Sequence, residues 1–148
     1  MLRSLFQSDI DQLLRIEKSV HISPWASETF KACFQAGYVG WLVEIDKKVI
    51  AFIITSIASE ECHILNICVD RDFQRQGWGR KLLDHALQHA KQQRISIAYL
   101  EVRRSNSRAI ALYKKMKFHL IGERKGYYVT VSGNEDALIF AMSLVDSR

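Results

Sequence analysis

The segment that most constrains this chain is a glycine turn set between a long apolar run and an amphipathic helix. His63 to Val69 reads as a strand. It leads through Asp70-Arg71-Asp72-Phe73 into Gln74-Arg75-Gln76-Gly77-Trp78-Gly79-Arg80, after which Leu82, Leu83, Ala86, Leu87 and Ala90 recur at helical spacing. Two glycines let the backbone approach a ligand without a Cβ clash. The first N–H groups of the helix have no intrahelical partner and, with the helix dipole, make an anion site. Arg75, Arg80 and Lys81 add positive charge. The turn is neither a P-loop, having no GKS or GKT, nor the dinucleotide GxGxxG.

Charge follows the same segment. The net charge is +5, yet residues 71–125 carry 14 Lys/Arg against 4 Asp/Glu, and the rest of the chain is acidic. A basic block around a glycine turn suggests an anionic ligand. At 148 residues the chain is expected to be one domain, 1–148, large enough to fold without disulfide or metal staples. The three cysteines show no CxxC or Cys/His spacing and the five histidines no HExxH, so metal catalysis is not expected. No apolar run is long enough to span a membrane, and Met1-Leu2-Arg3-Ser4 lacks a signal-peptide core. A cytoplasmic protein without a membrane partner is the expectation.

The remaining elements give the order β-αα-βββ-α-β-α-ββ, a mixed α/β domain. Leu2 to Phe6 is a short strand, and Asp9 is placed to cap a helix carrying Ile10, Leu13, Leu14 and Ile16. Ser23-Pro24-Trp25 breaks the chain before a second helix from Ser27 to Gly37. Trp41 to Ile45 and Val49 to Ile57 form a hairpin through Asp46-Lys47-Lys48. Ile97 to Val102 is a strand whose apolar run suggests burial on both faces, and Ser105 is placed to cap the next helix. Phe118 to Gly122, the turn Ser132-Gly133-Asn134 and Ala137 to Leu144 complete the chain.

Two motifs together carry a family resemblance. Asn66-Ile67-Cys68-Val69 followed by Gln74-x-x-Gly77-x-Gly79 resembles the acetyl-CoA motif of the Gcn5-related N-acetyltransferases, the GNAT family. Asn106 to Phe118 is similar to that family's N-x-x-A-x-x-L-Y-x-x-x-G-F. The resemblance covers essentially the whole chain. It implies a central mixed, mostly antiparallel sheet of about seven strands flanked by about four helices, with acetyl-CoA as co-substrate and no metal. Ser23-Pro24-Trp25, Leu100-Glu101-Val102-Arg103, Tyr127-Tyr128 and Asn134-Glu135-Asp136-Ala137 narrow it to the ribosomal-protein-alanine N-acetyltransferases. That branch implies an N-terminal tail of a small-subunit ribosomal protein, number eighteen, as acceptor. It requires no direct nucleic-acid contact, and a monomer or weak dimer is expected. Lys117 departs from the family's glycine before Phe118, and Val129 from a common proline after the tyrosine pair.

The resemblance assigns roles residue by residue. Glu101 is the candidate base, and a structural partner in Arg103 or Arg124 is the alternative. Tyr113 is the candidate acid toward the departing thiolate, and a core aromatic is the alternative. Ile67, Cys68 and Val69 offer backbone groups where the strand splays from its neighbour, one N–H polarising the thioester and others pairing with the pantetheine arm. Arg75, Gln76, Gly77, Trp78, Gly79 and Arg80 form the pyrophosphate cradle, and Asn106 either holds the cofactor or caps its helix. Trp25, Tyr127 and Tyr128 are the candidate lining of the peptide groove, with Glu135 and Asp136 facing a basic tail. A nucleophilic Cys68 is a competing route. Other acceptors, a small amine or a lysine, and a catalytically silent acyl-CoA or RNA-binding module are the competing functions.

Overall fold

The strand from Lys48 to Ala58 is the centre of the molecule because seven consecutive residues, Val49 to Thr55, are buried on it. Such a strand needs a helical layer on each face. In the computed structural model, which describes residues 1–21, 24–130 and 133–145, the layers are α1 (Ile10–Val20) with α2 (Ser27–Gln35), and α3 (Trp78–Gln92) with α4 (Ser107–Lys115). Ser23, Ser132 and the Val129 side chain, named above, lie outside the described residues.

Seven strands form one sheet: β1 (Leu2–Ser4), β2 (Val39–Ile45), β3 (Lys48–Ala58), β4 (Glu61–Val69), β5 (Ile97–Arg103), β6 (His119–Thr130) and β7 (Gly133–Ser143). Their order is β1-β2-β3-β4-β5-β7-β6, and every neighbouring pair is antiparallel except β4 with β5. The mixed, mostly antiparallel sheet with four helices agrees with the sequence reading. Asp46 (φ +51°) and Lys47 (φ +65°) make the two-residue turn between β2 and β3, leaving Lys48 inside β3.

The helices bury their apolar stripes on opposite faces. Leu82, Leu83, Ala86, Leu87 and Ala90 of α3 pack with Trp41, Ile53, Leu100 and Phe140. Ile10, Leu13 and Ile16 of α1 and Phe30 of α2 pack with Leu42, Phe52, Ile54 and Cys68. Burying each large side chain contributes about 1.5–3 kcal/mol.

Three local expectations need correction. Asp9 does not cap α1 with its side chain. Its carboxylate reaches back to the Phe6 N–H (2.8 Å) and forks onto Arg3 (2.9 and 3.0 Å), closing the single 3-10 turn Gln7–Asp9. Asn106, not Ser105, caps α4, its Oδ1 accepting from Ala109 N–H at 3.2 Å. The Ser105 N–H donates to Glu135 instead (3.0 Å). Finally, β5 alternates: Ala98, Leu100 and Val102 are buried, while Tyr99, Glu101 and Arg103 are half-buried on the other face. Apolar residues on that second face, Ile97 and Tyr99, made the run look continuous.

Candidate active site

The site begins where the sheet opens. β4 and β5 pair only from Glu61 with Ile97 to Ile64 with Leu100. Just beyond, β4 carries a bulge: Ile54 pairs with Asn66 and Thr55 with Ile64, so Leu65 is the extra residue. A bulge bends and twists its strand, and the two parallel strands separate. Residues 67–69 keep their ladder with β3 but have no ladder partner on the β5 side. Backbone groups of β4 therefore border the gap, as the resemblance implied.

A cleft of about 720 Å³ runs from this gap across the N-terminus of α3. Gly77 (φ +87°) precedes the helix in a left-handed conformation that glycine adopts without strain. The Lys81 N–H bonds to the Gly77 carbonyl (3.0 Å), which leaves the N–H groups of residues 78–80 without intrahelical acceptors. Arg75, itself left-handed (φ +64°), and Gly77, Trp78, Gly79 and Arg80 line the cleft, as do Ile67, Cys68, Val69, Asn106 and Tyr113. Gln76 is not among the lining residues, and its amide oxygen accepts from Trp78 Nε1 at 3.1 Å. Gln74 fixes the turn by donating to the Val69 carbonyl (3.0 Å) and accepting from Arg108 (3.1 Å). Arg71, Arg103 and Arg108 add cations that the motif alone did not single out. An anion with a long, partly apolar arm fits this donor set: N–H groups and guanidinium groups at one end, open strand edge at the other.

A second, smaller pocket of about 180 Å³ lies on the other side of the gap. It gathers Trp25, Glu101, Asn106, Tyr113 and Tyr128, drawn from four separate parts of the chain. The two cavities share His21, Ile67, Arg103, Asn106 and Tyr113, so they adjoin along these five residues. Tyr113 is 5% exposed and packs edge-on to Phe118 with ring centroids 6.0 Å apart. Burial, with the nearby Tyr128, pushes its phenol well above the usual tyrosine range. Glu101 is 31% exposed at its side chain and pairs with Arg124 Nε at 3.3 Å. Both readings of Glu101 are therefore met in geometry: it has a structural partner and it faces the pocket.

The tyrosine pair divides. Tyr128 lines the pocket beneath the Arg103 guanidinium, 4.2 Å from ring centroid to Cζ. Tyr127 is 50% exposed, is not among the lining residues, and lies edge-on to Tyr128 under Arg124. Glu135 and Asp136 are engaged within the fold rather than left for a basic tail. Glu135 accepts from Arg103 (3.3 Å) and the Ser105 N–H; Asp136 accepts from the Gly126 N–H (2.9 Å) and Arg104 (3.2 Å). They clasp the β6–β7 hairpin to the β5–α4 loop. Cys68 is 3% exposed, and burial, aided by the Glu17 and Asp70 charges, pushes its thiol far up. A thiol held protonated is a poor nucleophile, which weighs against a covalent route through Cys68.

The sequence reading missed Glu17, His21 and Asn66 in the small pocket. Glu17 was detectable: it continues the apolar stripe Ile10, Leu13, at the spacing of the next buried position. Glu17, His21 and Cys68 also bring one ligand atom each within 4.8 Å of one another. A cation there would require Cys68, whose thiol burial holds protonated, to lose its proton.

The acetyltransferase (GNAT) family model matches residues 8–118. The [ribosomal protein bS18]-alanine N-acetyltransferase of Escherichia coli K12 is 38% identical over 141 residues, 95% of each chain. The Haemophilus ducreyi protein of the same name is 34% identical over 97% of this chain and 100% of that one. The crystal structure of the ribosomal-protein-S18-alanine N-acetyltransferase from Escherichia coli superposes with a TM-score of 0.94 at 36% identity, covering 100% of this chain and 96% of that chain. A strand-splayed sheet with a glycine cradle, a family model over most of its length and relatives above 30% identity agree: this chain belongs to the GNAT acetyltransferase family.

Proposed function

We propose that residues 1–148 act as one N-acetyltransferase domain that acetylates the N-terminal α-amine of a ribosomal protein, small-subunit protein eighteen, whose first residue is alanine. The observation that carries this reading is that the two cavities adjoin, with Tyr113 lining both. The name shared by relatives 34–38% identical over nearly the whole chain supports the acceptor. The small pocket's volume of about 180 Å³ suits a short first side chain.

Acetyl-CoA, when bound, supplies the thioester acyl group. Its pyrophosphate is assigned to the N–H groups of residues 78–80 with Arg75 and Arg80, and its pantetheine arm to the free edge of residues 67–69. Gln76, whose side chain is turned to Trp78, contributes through the backbone of the turn. Asn106 orients the α4 terminus by its cap. Glu101, directly or through a water, takes the proton that the amine must lose before it attacks the carbonyl. Tyr113, kept neutral by burial, gives its proton to the departing sulfur. Trp25 and Tyr128 flank the entering peptide, and Tyr127 sits at the rim. An α-amine suits a carboxylate base better than lysine does, its unperturbed pKa being about 7.7–8.0 against about 10.4.

Two peptides of identical sequence with an internal lysine test the reading, one with a free N-terminal Ala and one N-terminally blocked. Acetylation confined to the first residue of the free peptide is expected. Equal labelling of both moves the activity to lysine and refutes it.

A further inference from the structure

We propose that Glu17 is the anionic receptor for the acceptor's protonated amine, and so selects free N-termini; this rests on the acceptor proposed above.

Glu17 lies in the third turn of α1, where an apolar residue would ordinarily face the sheet. The residue is 1% exposed, yet it borders the small pocket. Both carboxylate oxygens accept: Oε1 from Asn66 Nδ2 at 2.8 Å and Oε2 from the Trp25 N–H at 3.0 Å. Acceptance at both oxygens is the pattern of an ionised carboxylate. Each oxygen has a further lone pair. Among the described residues no Lys or Arg pairs with it, and the nearest cation-forming group is His21 Nε2 at 3.8 Å, buried and without a hydrogen-bond partner. The pocket's other charges are spoken for: Glu101 by Arg124, Arg103 by Glu135. A buried carboxylate lacking a cation is costly to fold, and the cation that would offset it is one delivered by the substrate.

The placement also explains discrimination. An ammonium has three N–H donors and can meet Glu17 in the same pocket that Glu101 lines. An acylated terminus would bring its acyl group and no positive charge to the carboxylate. The two donors to Glu17 come from the α1–α2 loop at Trp25 and from the residue after the β4 bulge at Asn66, so the receptor is held rigidly beside the gap.

The test is steady-state kinetics of Glu17→Gln with the free-Ala peptide, beside acetyl-CoA affinity and thermal melting. Gln keeps the shape, and Asn66 can turn its amide to preserve the hydrogen bond, so only the charge is lost. The peptide KM should rise about tenfold or more, the scale of one hydrogen bond to a charged group. Acetyl-CoA affinity should stay within about twofold, well under the 1.4 kcal/mol of a tenfold change. The double variant Glu17→Gln/Asn66→Asp returns the charge one residue away and should recover part of the KM. An unchanged KM in a folded Glu17→Gln overturns the proposal, as does equal loss of acetyl-CoA affinity, which marks a structural role. If neither variant folds, the wild-type protein decides. A des-amino peptide with propanoyl in place of Ala should bind at least about tenfold more weakly than the free amine, and equal binding overturns the proposal. Wild-type protein that fails to acetylate the free peptide refutes the proposed function itself, whereas wild-type activity with an unaltered Glu17→Gln refutes this inference alone.

Discussion

Replacing Tyr113 by Phe separates the proposed acid from the core aromatic, because the proposal gives the ring and the hydroxyl different work. The ring belongs to the core: it packs against Phe118 and Phe140 and is 5% exposed. Phe fills the same volume and no hydrogen bond of the hydroxyl is seen among the described residues, so folding should change by no more than about 0.5 kcal/mol. That corresponds to a change in melting temperature of no more than about 2 °C for a chain of this size. Tyr113 lines both cavities, and its hydroxyl is proposed to face the departing sulfur. Loss of a general acid lowers turnover about 100- to 10,000-fold, or about 2.7–5.5 kcal/mol of barrier. The assay is kcat with the free-Ala peptide across pH, beside acetyl-CoA affinity by calorimetry. Affinity should stay within a few-fold while kcat falls. The pH profile carries a second check. Burial raises the phenol above its ordinary value near pH 10, so the proton-donating form persists through neutral and mildly alkaline pH. No alkaline limb below about pH 10 should therefore belong to Tyr113. A Tyr113→Phe enzyme at wild-type rate across pH refutes the role, and so does loss of acetyl-CoA affinity in proportion to rate.

Glu101→Gln should lower kcat about 100-fold or more near neutrality and recover partly as pH passes the amine's own value of about 7.7–8.0; a pH-independent loss points to the Arg124 ion pair instead. A Cβ on Gly79 would lie 3.7 Å from Val69 and 4.0 Å from Leu112, ordinary contact, so Gly79→Val should fold while its methyls intrude on the cleft. Calorimetry should show acetyl-CoA binding weakened about tenfold or more. Lys117 is left-handed (φ +76°) at the end of α4, and Lys117→Gly should stabilise the fold. Relief of about 1–2 kcal/mol of backbone strain exceeds the glycine's entropic cost of about 0.5–1 kcal/mol, visible as a rise in melting temperature. Asp70 is buried, which disfavours its charge, but Arg15, the Asp72 N–H and Lys48 together hold its carboxyl below the usual range. Its stabilisation is present above the unfolded value of about 3.9 and is lost as pH falls through the lower folded value. Acid melting should show that loss in wild type and less of it in Asp70→Asn.

The elements were legible in the sequence wherever one periodicity ruled. The α3 stripe and the Gly77–Gly79 turn were readable because apolar spacing and glycine placement are local signals. The opening between β4 and β5 was available only through the family resemblance, because it depends on a one-residue bulge at Leu65 that composition does not mark. Motifs make Glu101 and Tyr113 candidates, and the fold brings them to one pocket from β5 and α4. Glu17 was passed over because its meaning depends on Asn66 and Trp25, which lie 49 and 8 residues away. Glu135 and Asp136 were read as free acids because their partners, Arg103, Ser105, Arg104 and Gly126, are set by strand pairing between β5, β6 and β7. Sequence distance hides such pairs even when each residue is noticed.

The central claim is that one cavity holds acetyl-CoA, the other holds a peptide N-terminus, and chemistry occurs where they join. A crystal structure with coenzyme A covalently linked through its acetyl carbon to the α-nitrogen of an Ala-initiated peptide tests this most directly. The account predicts the pyrophosphate on the N–H groups of residues 78–80, the linking sulfur within hydrogen-bond reach of the Tyr113 hydroxyl, and the α-nitrogen in the pocket formed by Glu17, Trp25, Glu101 and Tyr128. A conjugate whose peptide leaves the protein without entering that pocket, or whose sulfur lies away from Tyr113, would contradict it.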